Sequence, residues 1–267
     1  MTKEAMQRIT IPDIVEMKAA GKKITMLTAY DFLMAELLDD AELDMILVGD
    51  SLAMVVQGRD TTLPVTLDQM IYHAEMVGRA VKHALVVVDM PFLSFNLGIE
   101  KTLESAGRVL KETACQAVKL EAGPEQAETI QALTSVGIPV MAHVGLRPQS
   151  VLAMGRYRVQ RDKSQLIATA KAAESSGAFS IVLECIPVEI AEEITSAVSV
   201  PTIGIGSGPG CDGQVLVTHD VLGLFDGFKP RFVKHFSEMR QQSLQGLKSY
   251  CREVREGIFP DDEHSFR

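Results

Sequence analysis

Tryptophan is absent from the 267 residues, and aromatic residues make up only 5% of them. Binding single-stranded nucleic acid by base stacking needs aromatic platforms, which this composition does not supply. A basic run is missing too. Lys and Arg number 26 against 35 Asp and Glu, leaving a net charge of −9. Phosphate backbones and anionic membrane surfaces repel such a chain, so neither a nucleic-acid nor a membrane partner is expected. Long apolar stretches are lacking: the run Ala84–Val88 is five residues, whereas a membrane-spanning helix needs about 20. Met1–Ala5 shows no apolar segment of a secretory signal. Cysteine is sparse. Cys115, Cys185, Cys211 and Cys251 form no C-x-x-C pair, which excludes a zinc knuckle or a thioredoxin-type couple. Dispersed cysteines in a chain this long read as reduced thiols of a cytoplasmic protein.

What is present fits a soluble globular domain: 46% apolar and 23% charged residues. A chain of this length can bury roughly three quarters of the surface it exposes when extended, enough for one core without disulfides. No linker, repeat or low-complexity stretch divides it, so residues 1–267 read as a single domain.

Short apolar runs recur at Ile24–Ala29, Met45–Val48, Leu85–Val88, Ala117–Leu120, Pro139–Ala142, Ser180–Leu183, Pro201–Ile205 and Arg231–Val233. Runs of this length that are apolar on both faces are how buried parallel strands read. Helical periodicity lies between them. Leu67–Val81 carries Met70, Ile71, Ala74, Val77 and Val81 on one face, with Thr66 and Gln69 placed as a capping box. Residues 103–114, 125–136, 165–175 and 188–198 show similar spacing. An extra helix over Asp13–Ala20 precedes the first strand, and a long amphipathic helix follows Ser237 over Glu238–Glu256. Gly213–Leu222 reads as either strand or helix. The expectation is a helix, with Asp212 as N-cap and Gly223 just beyond the end, because a strand there leaves no room for a crossover. Eight strands each followed by a helix predict a (β/α)8 TIM barrel with the extra N-terminal and long C-terminal helices. A doubly wound open sheet is the competing topology.

A parallel barrel carries its active site at the C-terminal ends of the strands. The residues that end the runs are Tyr30-Asp31, Gly49-Asp50-Ser51, Asp89, Lys119 with Glu121, His143, Glu184, Gly204–Ser207 and Lys234-His235. Asp50, Asp89 and Glu121 converging in a partly dry cleft need a compensating cation to ionise together. All-oxygen ligands without a His/Cys pair favour Mg²⁺; capping the following helix or pairing with Lys or Arg are the alternatives. Lys119 and Glu121 lie on the same face of a strand, so Lys119 either binds a substrate oxygen or pairs with Glu121. Glu184, at an apolar strand edge, suits a general base, or else serves the dipole of the next helix. His143 either donates to a substrate oxygen or satisfies the core. Gly208–Gly213 formally matches G-x-G-x-x-G but follows a late strand and contains Pro209, so it reads as a tight loop, not a dinucleotide site.

Several motifs occur in one order: Gly49-Asp50-Ser51-Leu52, Thr62-Leu63-Pro64-Val65-Thr66, Asp89-Met90-Pro91-Phe92, Val118-Lys119-Leu120-Glu121, His143-Val144-Gly145-Leu146 with Pro148-Gln149-Ser150, Leu183-Glu184-Cys185-Ile186-Pro187, and Ile203-Gly204-Ile205-Gly206 with Asp212-Gly213-Gln214. Together they resemble the ketopantoate hydroxymethyltransferase family from Thr10 to Pro260. The resemblance implies a barrel related to the isocitrate lyase and phosphoenolpyruvate mutase group. It implies Mg²⁺-dependent transfer of a hydroxymethyl group from 5,10-methylenetetrahydrofolate to 3-methyl-2-oxobutanoate, giving 2-dehydropantoate for pantothenate synthesis. A cytoplasmic homodecamer is also implied. Asp50, Asp89 and Glu121 match the metal positions; Asp50, Ser51, Asp89 and Lys119 match the oxo-acid positions. Glu184 matches the proton acceptor, and His143 a substrate-proximal histidine. Ala53, Ala122, Arg147, Leu93-Ser94-Phe95 and Ser207 depart from the commonest family pattern, none of them on a metal, lysine or base position. Another enolate-forming lyase of the same barrel group, or a catalytically silent barrel, are the other readings.

Overall fold

Eight short parallel strands close on themselves in the computed structural model, which describes residues 7–156, 158–227 and 229–266. They are β1 (Ile24–Thr28), β2 (Met45–Val48), β3 (Leu85–Asp89), β4 (Ala117–Glu121), β5 (Val140–Gly145), β6 (Ser180–Glu184), β7 (Thr202–Ile205) and β8 (Gly213–Leu216). Each pairs with its neighbours in chain order, and β8 pairs with β1. The barrel class expected from the periodicity is therefore the observed one, and the open sheet is not. The chain divides into two units, Met1–Val217 with the barrel and Thr218–Arg267.

Side chains alternate between two cores, as strand geometry requires. Leu85, Val87, Ala117, Met141, Val182, Ile203 and Val215 fill the interior with Met26, Met45 and Leu47. Their neighbours Val86, Val88, Val118, Leu120, Val140, Ala142, Ile181 and Leu183 pack outward with the helices. The same period carries past the last apolar position of a strand. Asp89 follows Val87, Lys119 and Glu121 follow Ala117, His143 follows Met141, and Glu184 follows Val182, so all five continue the inward set at the C-terminal ends.

The helices form largely where the caps predict. Thr66 and Gln69 make the expected capping box on Leu67–Ala80. Pro124 opens a 3-10 turn ahead of Ala127–Ser135, and Pro187 is the N-cap residue of Val188–Ala197. The N-terminal helix is Ile11–Ala19; its fully buried Ile14 packs into the interior cluster beside Ile24. Lys18 from that helix reaches the carbonyls of Thr195 and Val200 and the carboxylate of Asp212, at 2.8, 3.1 and 3.0 Å.

The last strand corrects the sequence reading. Gly213–Leu216 is β8, not the start of a helix, and Arg231–Val233 is not a strand. Asp212 is no N-cap; its Oδ2 accepts from the backbone N–H and hydroxyl of Thr202 at 2.8 and 3.1 Å. The expectation failed on the crossover argument. β8 enters level with Ile203, so the chain drops only two residues, about 7 Å, between leaving β7 and entering β8. Residues 206–212 span that without a helix. Glycine is required at the entry: a Cβ on Gly213 would sit 2.5 Å from the Ile24 carbonyl oxygen and 2.7 Å from Ile203 Cδ1. Lys234-His235 accordingly follow no strand.

The second unit contains the short helix Thr218–Val221 and the long helix Met239–Glu256, which ends at Gly257. The long helix starts after Glu238, one residue beyond the expected cap Ser237, and Leu244, Leu247, Tyr250 and Val254 along it are exposed. Among the described residues, no helix is long and apolar enough to cross a membrane. All four cysteines are unpaired thiols.

Candidate active site

Four of the five inward residues, joined by Asp50, meet in one chain of contacts. The backbone N–H of Asp50, just past β2, donates to Asp89 Oδ2 at 3.0 Å. Asp89 Oδ1 lies 2.7 Å from Lys119 Nζ. Lys119 Nζ lies 3.5 Å from His143 Nδ1, and His143 Nε2 lies 3.1 Å from Glu184 Oε2. The strand register accounts for it: Asp89 is level with Lys119, Glu121 with His143, and Gly145 with Glu184. Gly145 permits the close approach of β5 and β6, because a Cβ there would collide with the Glu184 carbonyl oxygen.

Lys119 separates the readings its spacing left open. It pairs with Asp89, not with Glu121. Burial works against its charge, but Asp89 and Asp50 outweigh burial and hold its pKa above the ordinary lysine value. A charged ammonium can only donate, so His143 Nδ1 must accept from it. The imidazole proton then sits on Nε2, on the side of Glu184. His143 is only 2% exposed, and Nε2 has no aligned hydrogen-bond acceptor. Glu184 thus turns its carboxylate toward His143, and Glu189 is the acid in the first turn of the following helix.

Two of the acids are held above the ordinary carboxylate range. Burial, reinforced by Asp89, pushes the Asp50 carboxyl up to about 7. Burial pushes Glu121 up to about 8, against the backbone N–H of Gln149 that donates to its Oε1 at 2.8 Å. Among the described residues, no group of three or more His, Cys, Asp or Glu side chains is arranged to hold a metal ion. A hard cation does not need such a group, because it takes one or two carboxylates and completes its shell with water and ligand oxygens.

Other predicted positions separate. Ser51 is at the site, its Oγ 2.8 Å from Tyr30 Oη, and Tyr30 is buried. Asp31 is a helix cap: its Oδ1 accepts from the Met34 N–H at 2.9 Å ahead of Phe32–Asp40. Ser207 is structural, donating to the Leu183 carbonyl at 2.7 Å and accepting from the Ile186 N–H at 3.2 Å. Ala53 and Ala122 are buried, and Arg147 pairs with Glu125 at 2.8 Å. Two residues went unassigned in the sequence reading, Tyr30 and Gln149. Tyr30 stood at a strand exit and Gln149 within a family motif, but neither periodicity nor charge marks a buried hydroxyl or amide as functional.

A family model described as ketopantoate hydroxymethyltransferase matches residues 8–262. A Rhodopirellula baltica protein named 3-methyl-2-oxobutanoate hydroxymethyltransferase is 56% identical over 259 residues, 97% of this chain and 96% of its own length. A Desulforapulum autotrophicum protein of the same name is 53% identical over 260 residues, 97% and 99% of the two chains. Among solved structures, a phosphonopyruvate hydrolase complex with oxalate and Mg²⁺ matches with a TM-score of 0.64 at 12% identity, covering 95% of this chain and 92% of that one. A 2,3-dimethylmalate lyase of the PEP mutase/isocitrate lyase superfamily matches with a TM-score of 0.59 at 16% identity, covering 96% and 91%. At such identities those structures speak for the fold alone. The family model and the relatives speak for more: this chain, a transferase, belongs to the ketopantoate hydroxymethyltransferase family.

Proposed function

We propose that the protein transfers a hydroxymethyl group from 5,10-methylenetetrahydrofolate to 3-methyl-2-oxobutanoate, giving 2-dehydropantoate for pantothenate and coenzyme A synthesis, with Mg²⁺ as cofactor. The observation that carries this reading is the contact chain from Asp50 through Asp89, Lys119 and His143 to Glu184. That chain supports a paired aspartate site at one end and a carboxylate base at the other.

Asp50 and Asp89 would hold the cation, with Glu121 as the third acid beside them. Mg²⁺, when bound, supplies the Lewis acidity that polarises a 2-oxo carbonyl. Lys119 and Ser51 donate to the carboxylate and keto oxygens of the oxo acid, as fixed donors that need no reorganisation. Glu184 accepts the proton from C3. His143 Nε2 lies beside that carboxylate, 3.1 Å from its Oε2. Water cleaves the methylene bridge and releases tetrahydrofolate, the C3 carbon of the enolate adds to the freed formaldehyde-level carbon, and its oxygen takes up the proton held by Glu184 to become the product hydroxyl. A homo-oligomer, decameric as the family resemblance implies, and a cytoplasmic location complete the proposal.

The test has two arms. With both substrates and Mg²⁺, mass analysis should find 2-dehydropantoate. With Mg²⁺ and the oxo acid alone in deuterated water, the C3 hydrogen should exchange. Exchange that requires folate would contradict enolate formation as the first step. Exchange without any hydroxymethyl product would instead point to a lyase of the same barrel group.

A further inference from the structure

One amide side chain ties the acidic cluster together. Gln149 is buried on the 3-10 turn Pro148–Ser150 that follows β5. Its Nε2 donates to Asp50 Oδ2 at 2.9 Å and to the Met90 carbonyl at 3.0 Å. Its backbone N–H donates to Glu121 Oε1 at 2.8 Å. A carbonyl can only accept, so Met90 fixes which end of the amide is the NH₂ group, and that group faces Asp50. Asp50 and Glu121 come from β2 and β4, which are not neighbours in the barrel. Asp50 also lies beyond the last ladder residue of β2. No sheet hydrogen bond therefore sets the two carboxylates relative to each other, whereas Gln149 touches both. Its turn is held in place: Ser150 N–H bonds to the Arg147 carbonyl at 2.9 Å, and Arg147 pairs with Glu125 beside the end of β4.

We propose that Gln149 is a positioning residue for the cation and the oxo acid. It occupies Asp50 Oδ2 and Glu121 Oε1 and so leaves Asp50 Oδ1 and Glu121 Oε2 as the oxygens offered to the ligand. This rests on the reading of the cluster as a cation and oxo-acid site.

The test is Gln149→Met, which keeps the length and volume of the side chain and removes its donor, while the backbone bond to Glu121 remains available. Mg²⁺ affinity is measured by calorimetry in the presence of 3-methyl-2-oxobutanoate, with circular dichroism and thermal melting to establish folding. The dissociation constant for Mg²⁺ should rise tenfold or more, the order expected for a lost hydrogen bond to a charged group. Added Mg²⁺ should restore C3 exchange to within about threefold of the unaltered rate, because positioning is lost and the base is not. A folded variant with unchanged Mg²⁺ affinity would overturn the proposal. Gln149→Asn, which keeps an amide too short to span Asp50 and Met90, should show the same loss if Gln149→Met does not fold. Failure of both to fold would make the residue structural and overturn the proposal as well. If the unaltered protein neither binds Mg²⁺ nor exchanges C3, the reading of the site itself fails, and this inference with it.

Discussion

The two ends of the barrel use the same residue types in opposite ways. At the N-terminal end, each acid is settled by local donors. Asp44 Oδ2 accepts from the Thr25 N–H and hydroxyl, both at 2.8 Å. Asp212 accepts from Thr202 and pairs with Lys18. These bonds join strand starts to one another and to the N-terminal helix. At the C-terminal end, the acids face one another. Asp50 and Glu121 are pushed to about 7 and 8, while Lys119 makes its ion pair with Asp89. A neutralised end is what a closed floor needs. An end with crowded carboxylates keeps unspent capacity to bind a cation, and a barrel places its chemistry there.

The sharpest way to test that contrast is to remove one acid from each end. Glu184→Gln should lower C3 hydrogen exchange about a thousandfold, within the range for loss of a general base, while melting within a few degrees of the unaltered protein. Retained exchange would move the base elsewhere, with His143 next. Asp212→Ala at the other end should do the reverse. It strips Thr202 and Lys18 of a partly buried partner, at a cost of about 2 kcal/mol in stability by denaturant titration. Exchange per folded molecule should stay within twofold. If Asp212→Ala impaired exchange as strongly as Glu184→Gln, the division of labour between the ends would be wrong.

The smallest effect is in pH. Asp50 and Glu121 keep protons in the folded protein well above the ordinary carboxylate range near 4. Between that range and their folded values, the native state binds more protons than the unfolded chain. Their contribution to stability is full below about pH 4 and is lost as pH rises through about 7 and 8. Calorimetry of the Mg²⁺-free protein should therefore show the melting temperature falling by a few degrees from pH 5.5 to 8.5. Saturating Mg²⁺ should offset more of that fall at the upper end, since a cation competes with protons for the same oxygens. A melting temperature that rises with pH in the absence of Mg²⁺ would mean the cluster is ionised without help.

Much of this was legible in the chain. Runs such as Met45–Val48 and Leu85–Val88 are buried on both faces because barrel strands contact an interior and a helix layer, and that doubly apolar pattern shows in sequence. The capping pair Thr66 and Gln69 is local chemistry and also shows. So did Asp50, Asp89, Lys119, Glu121, His143 and Glu184, as polar residues standing where an apolar period ends. Asp31 shares that signature yet only caps a helix, since sequence position does not say which way a strand-end side chain turns.

The tertiary structure decided the rest. Gly213–Leu216 carries only four residues and a cap-like Asp212; it is a strand because β7 and β1 offer it edges on both sides, and that pairing is non-local. Lys119 chose Asp89 over Glu121 because of register between neighbouring strands, although Glu121 is nearer in sequence. Gln149 gained its place at the centre of the acids through hydrogen bonds to residues 28, 59 and 99 positions away. Periodicity and capping act over a few residues and can be read along the chain, whereas strand pairing and buried polar contacts exist only once distant segments are brought together.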